Sequence, residues 1–223
     1  MPKPKIQSKN FSQWTQQEIE DTFQLGQWDS HPKLDAWLNL QLPQEWTISP
    51  EVKNWLTEAQ KKANIYIENW TEQELLIKFI TPILHAADLD QAQYKMFSDR
   101  SLEAIVDGQK LWGRVDLMVA KGKHEPMSPY FCFHEYKQQR PGRGTDPVGQ
   151  LLATMLVAQA LNQHHQPIYG VYIIGRLWHF VILDKRDYAI SRSFLPSEAD
   201  LWDVVRILKG LNVLIPPLLN VSL

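Results

Sequence analysis

Three charged side chains stand in runs that otherwise read as β-strands. The run GRVDLMVAKG carries Asp116, and YFCFHEYKQQ carries Glu135 and Lys137 two residues apart. Alternate residues of a strand share a face. Glu135 and Lys137 therefore point the same way, with Phe131, Phe133 and Gln139. In the preceding run Asp116 shares a face with Arg114 and Met118, while Val115, Leu117 and Val119 point the other way. Strands adjacent in sequence tend to pair, and a hairpin of these two sets Asp116 beside Glu135. Two carboxylates in an apolar sheet repel each other and are costly to bury. A divalent cation removes that cost, and Mg²⁺ takes one or two carboxylates while keeping several waters. Such an ion lowers the pKa of a bound water and offsets charge on a phosphate oxygen. An ammonium beside it can orient that water or stabilise the added charge of the transition state. This is equipment for hydrolysing a phosphodiester. The plainer alternative is an ion pair between Glu135 and Lys137 at a strand end, with Asp116 in a turn or paired to Arg114.

Val115-Asp116 followed by Glu135-Tyr136-Lys137 resembles the signature of the PD-(D/E)XK nuclease superfamily, restriction-endonuclease-like proteins that include many bacterial DNA-processing enzymes. The proline of the first element is absent here. The resemblance spans roughly residues 71–184 and includes the order helix, three strands, helix, strand. It implies an α/β fold with a restriction-endonuclease-like core (αβββαβ, a mixed central sheet flanked by helices). It also implies Asp116 and Glu135 as metal ligands, the Tyr136 backbone carbonyl as a further ligand, and Lys137 as the catalytic lysine. The implied cofactor is Mg²⁺, with Mn²⁺ able to take its place, and the implied substrate is DNA, with RNA as a second choice. Members often carry a glutamate on the first core helix: Glu74 is the first candidate, Glu72 the second, and a capping role for Glu74 competes evenly. Many also place a glutamine near the lysine, which Gln139 and Gln150 each match in one way. The competing function is a catalytically silent nucleic-acid- or protein-binding module on the same fold.

The elements that must position these residues begin with a helical N-terminal region, residues 1–68, packed on a nuclease-like domain, residues 69–223. Residues 1–10 are polar and aperiodic, which predicts an unstructured end. Thr15 and Glu18 form a capping-box pattern with Gly26 as a stop, Ser30 precedes Pro32, and Ser49 precedes Pro50. Five tryptophans (Trp14, Trp28, Trp37, Trp46, Trp55) fall in this region and read as packing residues. A third hypothesis has these helices dock a partner or a second copy. Thr71 and Glu74 cap the next helix, which Pro82 weakens or kinks. AQYKMFSD and SLEAIVDG then read as short strands, followed by the two charged runs. GQLLATMLVAQALNQ reads as a helix, PIYGVYIIG and RLWHFVILD as strands joined near Gly175, and SEADLWDVVRILKGLNVL as a last helix.

The chain has 223 residues, 44% of them hydrophobic and 22% charged, which is ordinary for a soluble globular protein. A net charge of −2 means that a polyanion must be met by a local patch. Arg140 and Arg143 after the lysine, with Arg114 on the neighbouring run, supply one, and phosphate contacts of this kind position without reading sequence. The single cysteine excludes an internal disulfide and fits a reducing compartment. MPKPKIQSKN has no apolar stretch of a signal peptide, and no run approaches a membrane span, so a cytoplasmic protein is expected. Cutting both strands of a duplex would favour a homodimer. His164 and His165 lack a third ligand nearby and read as helix-end residues. Cys132 and His134 read as core.

Overall fold

β-Branched and aromatic residues in alternation build the strands that carry the charged residues, and the computed structural model places them in one mixed eight-stranded sheet. It describes residues 7–44, 46–140, 142, 144–162 and 166–219. The strands are β1 (Gln7–Asn10), β2 (Gly26–Trp28), β3 (Tyr94–Val106), β4 (Gln109–Lys121), β5 (Met127–Lys137), β6 (Ile168–Ile174), β7 (Leu177–Asp184) and β8 (Asp187–Ile190). The helices are α1 (Gln16–Phe23), α2 (Pro32–Leu38), α3 (Pro50–Tyr66), α4 (Glu72–Leu75), α5 (Thr81–Ala87), α6 (Pro147–Asn162) and α7 (Leu201–Leu219). β3 lines one edge of β4 along its length, while β1 and β5 divide the other edge. The sheet continues from β5 through β6, β7 and β8 to β2. Pairing of β5 with β6 is parallel, and α6 makes the crossover between them.

Each face of the sheet is covered by helices. Helices α2, α3, α5 and α7 close one side over Leu117, Cys132, Val171 and Phe180. Phe11, α1 and α6 close the other over Met118, Phe133 and Val181. The sequence reading put one side of α6 in the core. In the structure every residue from 151 to 158 is buried, because α1 covers the side that would otherwise be exposed. Gly149 permits this approach: a Cβ there would meet the backbone of Trp14 and Thr15.

The N-terminal region is not the purely helical appendage expected. Residues 7–10 form β1 against β4, and β2 joins the far end of the sheet through β8. Such three- and four-residue strands carry too little alternation to be legible, and pairing with a longer strand defines them. The capping boxes at Thr15 with Glu18 and at Thr71 with Glu74 are present, as is the Ser49 cap. Ser30 is not a cap: His31 accepts from the Lys33 backbone N–H in its place. Helix α1 ends on Gln24 in a left-handed conformation, φ 53°, and Gly26 lies in β2 instead. Pro82 does not break its helix. A π-helical turn at Leu76–Ile80 precedes it, with the Thr81 N–H reaching back to Leu76, and the widened turn gives the ring the room an α-turn denies it. The two short strands before Asp107 are one strand, β3, and β8 was not foreseen. Among the described residues no helix is long and apolar enough to cross a membrane.

Candidate functional site

Register brings the charged residues together. Leu117 pairs with His134 at the end of the ladder between β4 and β5, so the next step sets Asp116 opposite Glu135, where the strands part. The Asp116 carboxylate closes the gap. Its Oδ2 accepts from the Tyr136 backbone N–H at 2.7 Å, a donor that continued pairing would otherwise have taken up. The expected alternation along β4 slips here: Val115 packs with Met118 on the α6 side, whereas Leu117 and Val119 pack on the other. The cause is a shared irregularity. The ladder to β3 skips Asp116 and Asp99, and Asp99 is left-handed with φ 52°. A kink thus turns Asp116 toward the end of β5.

Glu135 is 3% exposed. Lys137 Nζ donates to its Oε1 at 2.5 Å, and Gln150 Nε2, in the first turns of α6, donates to its Oε2 at 2.7 Å. Both oxygens are thereby held in a fixed orientation. Burial, and then the charge of Asp116, push the Glu135 carboxyl up to about 8, against the opposing pull of Lys137. Burial also raises Asp116, opposed by the Tyr136 N–H and Lys137 and reinforced by Glu72 and Asp99. Burial alone would lower the Lys137 ammonium, but Glu135, Glu72 and Asp116 outweigh it and raise its pKa. Asp99 is matched by Arg114. Glu72, Asp116 and Glu135 thus share one ammonium, and the raised carboxyls of Asp116 and Glu135 reflect the cost of ionising all three together, a cost that a bound cation would offset.

The donor set suits a hard divalent cation. Asp116 and Glu135 are the two carboxylates that could hold it, with Glu72 at longer range. Among the described residues no three His, Cys, Asp or Glu side chains converge to chelate an ion alone. Mg²⁺ needs no such cage, since it binds through one or two carboxylates and completes its shell with water and phosphate.

The other candidates divide. Gln150 lies in the cluster. Gln139 does not: its Oε1 accepts from the Arg176 backbone N–H at 2.9 Å in the turn between β6 and β7. Glu74 bonds Thr71 and Lys78 and lines an outer groove of about 630 Å³ with Trp55 and Tyr66. Its neighbour Glu72 is the glutamate of this helix whose charge reaches Asp116, Glu135 and Lys137. Capping decides between them, because the third residue of the helix must fold back on the N-cap. Arg114 is exposed and bound to Asp99. Arg140 is exposed, 3.7 Å from Glu68. Arg143, His164 and His165 lie outside the described residues. Cys132 and His134 are buried; burial raises the thiol strongly and lowers His134 to about 3. Sequence reasoning missed Glu68 and Arg176, which pair across 108 positions at 3.0 Å. Only the Gly175 turn signal marked their neighbourhood.

No family model and no curated protein matches this sequence.

Proposed function

We propose that this chain is a metal-dependent nuclease that hydrolyses phosphodiester bonds in DNA, on a restriction-endonuclease-like core. The observation that carries this reading is the meeting of Asp116, Glu135 and Lys137 at the parting of β4 and β5, with Gln150 locking Glu135. The αβββαβ order expected of that core is matched in sequence by α5, β3, β4, β5, α6 and β6. Mg²⁺ or Mn²⁺ bound there would supply an activated water and offset phosphate charge. Asp116 and Glu135 would hold such an ion, and the Gln150 hydrogen bond keeps Glu135 from turning away. Lys137 stays protonated and presents a fixed positive charge to the phosphoryl oxygens as they gain charge.

One observation favours the silent-module alternative: every carboxylate oxygen of Glu135 already has a protein partner. Two assays separate the readings. Linear DNA and RNA are incubated with Mg²⁺ or Mn²⁺ beside Lys137→Ala, and cation binding is followed by calorimetry on wild type and Asp116→Ala. Cleavage that Lys137→Ala abolishes supports the nuclease. Absence of both cleavage and cation binding in the wild type supports the silent module.

A further inference from the structure

We infer that Arg176 and Arg140 form a backbone-phosphate site beside the candidate catalytic cluster, and that Glu68 occupies it in the free protein. The inference rests on the nuclease reading in taking DNA as the polyanion.

The turn that carries Arg176 is fastened to the end of β5. The Gly175 N–H donates to the Lys137 carbonyl at 2.9 Å, and the Arg176 N–H donates to Gln139 Oε1 at 2.9 Å. Arg176 is therefore held beside the end of β5 that carries Lys137, the one ammonium in the cluster. A polyanion approaching that cluster needs positive charge next to it. Arg140, three residues beyond Lys137, converges with Arg176 on one carboxylate. Glu68 lies 3.0 Å from the Arg176 guanidinium and 3.7 Å from that of Arg140. It lies in a short 3₁₀ turn, Ile67–Asn69, and extended backbone at Trp70 and Thr71 leads from there to Glu72 at the start of α4, so a single segment supplies both the carboxylate that reaches the cluster and the one that holds the arginines.

The pairing is poor as a structural fastening. Arg176 Nη2 makes one hydrogen bond, to Glu68; its Nη1 is 3.6 Å from Glu198, beyond hydrogen-bond reach, and its Nε is buried without a partner. Arg140 makes no side-chain hydrogen bond to Glu68 and is 83% exposed. A guanidinium fork binds carboxylate and phosphate through the same paired geometry. Two forks that converge on Glu68, with Glu198 flanking Arg176, are an anion site with a resident anion, and a phosphate would displace Glu68 to use the donors now idle.

The test exploits the two ends of one ion pair. Binding of a short DNA duplex is measured by fluorescence anisotropy over a range of salt, in EDTA and again with Ca²⁺, with thermal melts to verify folding. Arg176→Ala should bind roughly tenfold more weakly, with a salt slope shallower by about one. Arg176→Lys, which keeps the charge and loses the fork, should recover part of the affinity. Glu68→Gln should bind several-fold more tightly. If the pair were only a fastening, Arg176→Ala and Glu68→Gln would change affinity in the same direction or not at all, and either result overturns the inference, as does a wild type that binds no DNA under either condition. Opposite shifts in a protein that fails to cleave would leave this site standing and remove the nuclease reading alone.

Discussion

Replacing Glu135 with glutamine tests whether the cluster is strained by uncompensated charge. In the folded chain burial and Asp116 raise this carboxyl from 4.5 to about 8. Between those values the unfolded chain has lost the proton and the folded chain keeps it. Stability must then fall as pH rises through this window and level off above the folded value. At about 1.4 kcal/mol per pH unit the loss is about 5 kcal/mol as a ceiling, which side-chain relaxation and water entry will reduce to a few. Glutamine mimics the protonated acid in shape and still meets Gln150. Glu135→Gln should match the wild type near pH 5 and exceed it at pH 8 by about 2–4 kcal/mol. At this chain length that is on the order of 5–10 °C in Tm. The assay is urea unfolding from pH 5 to 9 in EDTA, repeated with Mg²⁺. An ion bound to the folded state alone adds stability by mass action, so Mg²⁺ should raise the wild type at pH 8 and leave the variant little changed. Wild type and variant with the same pH slope, or a variant less stable at pH 8, would refute the charge-strain argument.

The glutamates of the first core helix should separate cleanly. On the nuclease reading, Glu72→Ala is expected to weaken cation binding in calorimetry and to slow cleavage, whereas Glu74→Ala should cost about 1 kcal/mol of stability by opening the capping box with Thr71 and leave cleavage near wild type. Gly175→Ala should destabilise by about 1–3 kcal/mol, because φ is +54° and the new Cβ would overlap Gln139; a melt that shows no loss would mean the turn is not held against β5 as described.

The local chemistry of many elements was legible. Thr15 with Glu18, Thr71 with Glu74, and Ser49 before Pro50 cap the helices they announce, since an N-cap acts within one turn. The long strands bearing Asp116 and Glu135 were legible from alternation over many residues. What failed involved partners remote in sequence. β1, β2 and β8 are too short to show a period, and each exists through pairing with another strand. The strict alternation drawn through Val115 failed at a kink that Asp116 shares with Asp99, on a different strand.

By itself the sequence determined which side chains stand at the ends of which strands, because strand period and capping depend on neighbours along the chain. Only the tertiary structure decided which of them meet. Glu72 rather than Glu74 reaches the cluster because the Thr71 cap turns Glu74 back on its own helix. Gln150 rather than Gln139 holds Glu135 because α6 crosses that face while Gln139 is taken up by the Arg176 turn. Glu68 and Arg176 meet only where α3 ends against the turn between β6 and β7. Electrostatics falls off with distance in space, not along the chain, so these choices were set only when the sheet closed.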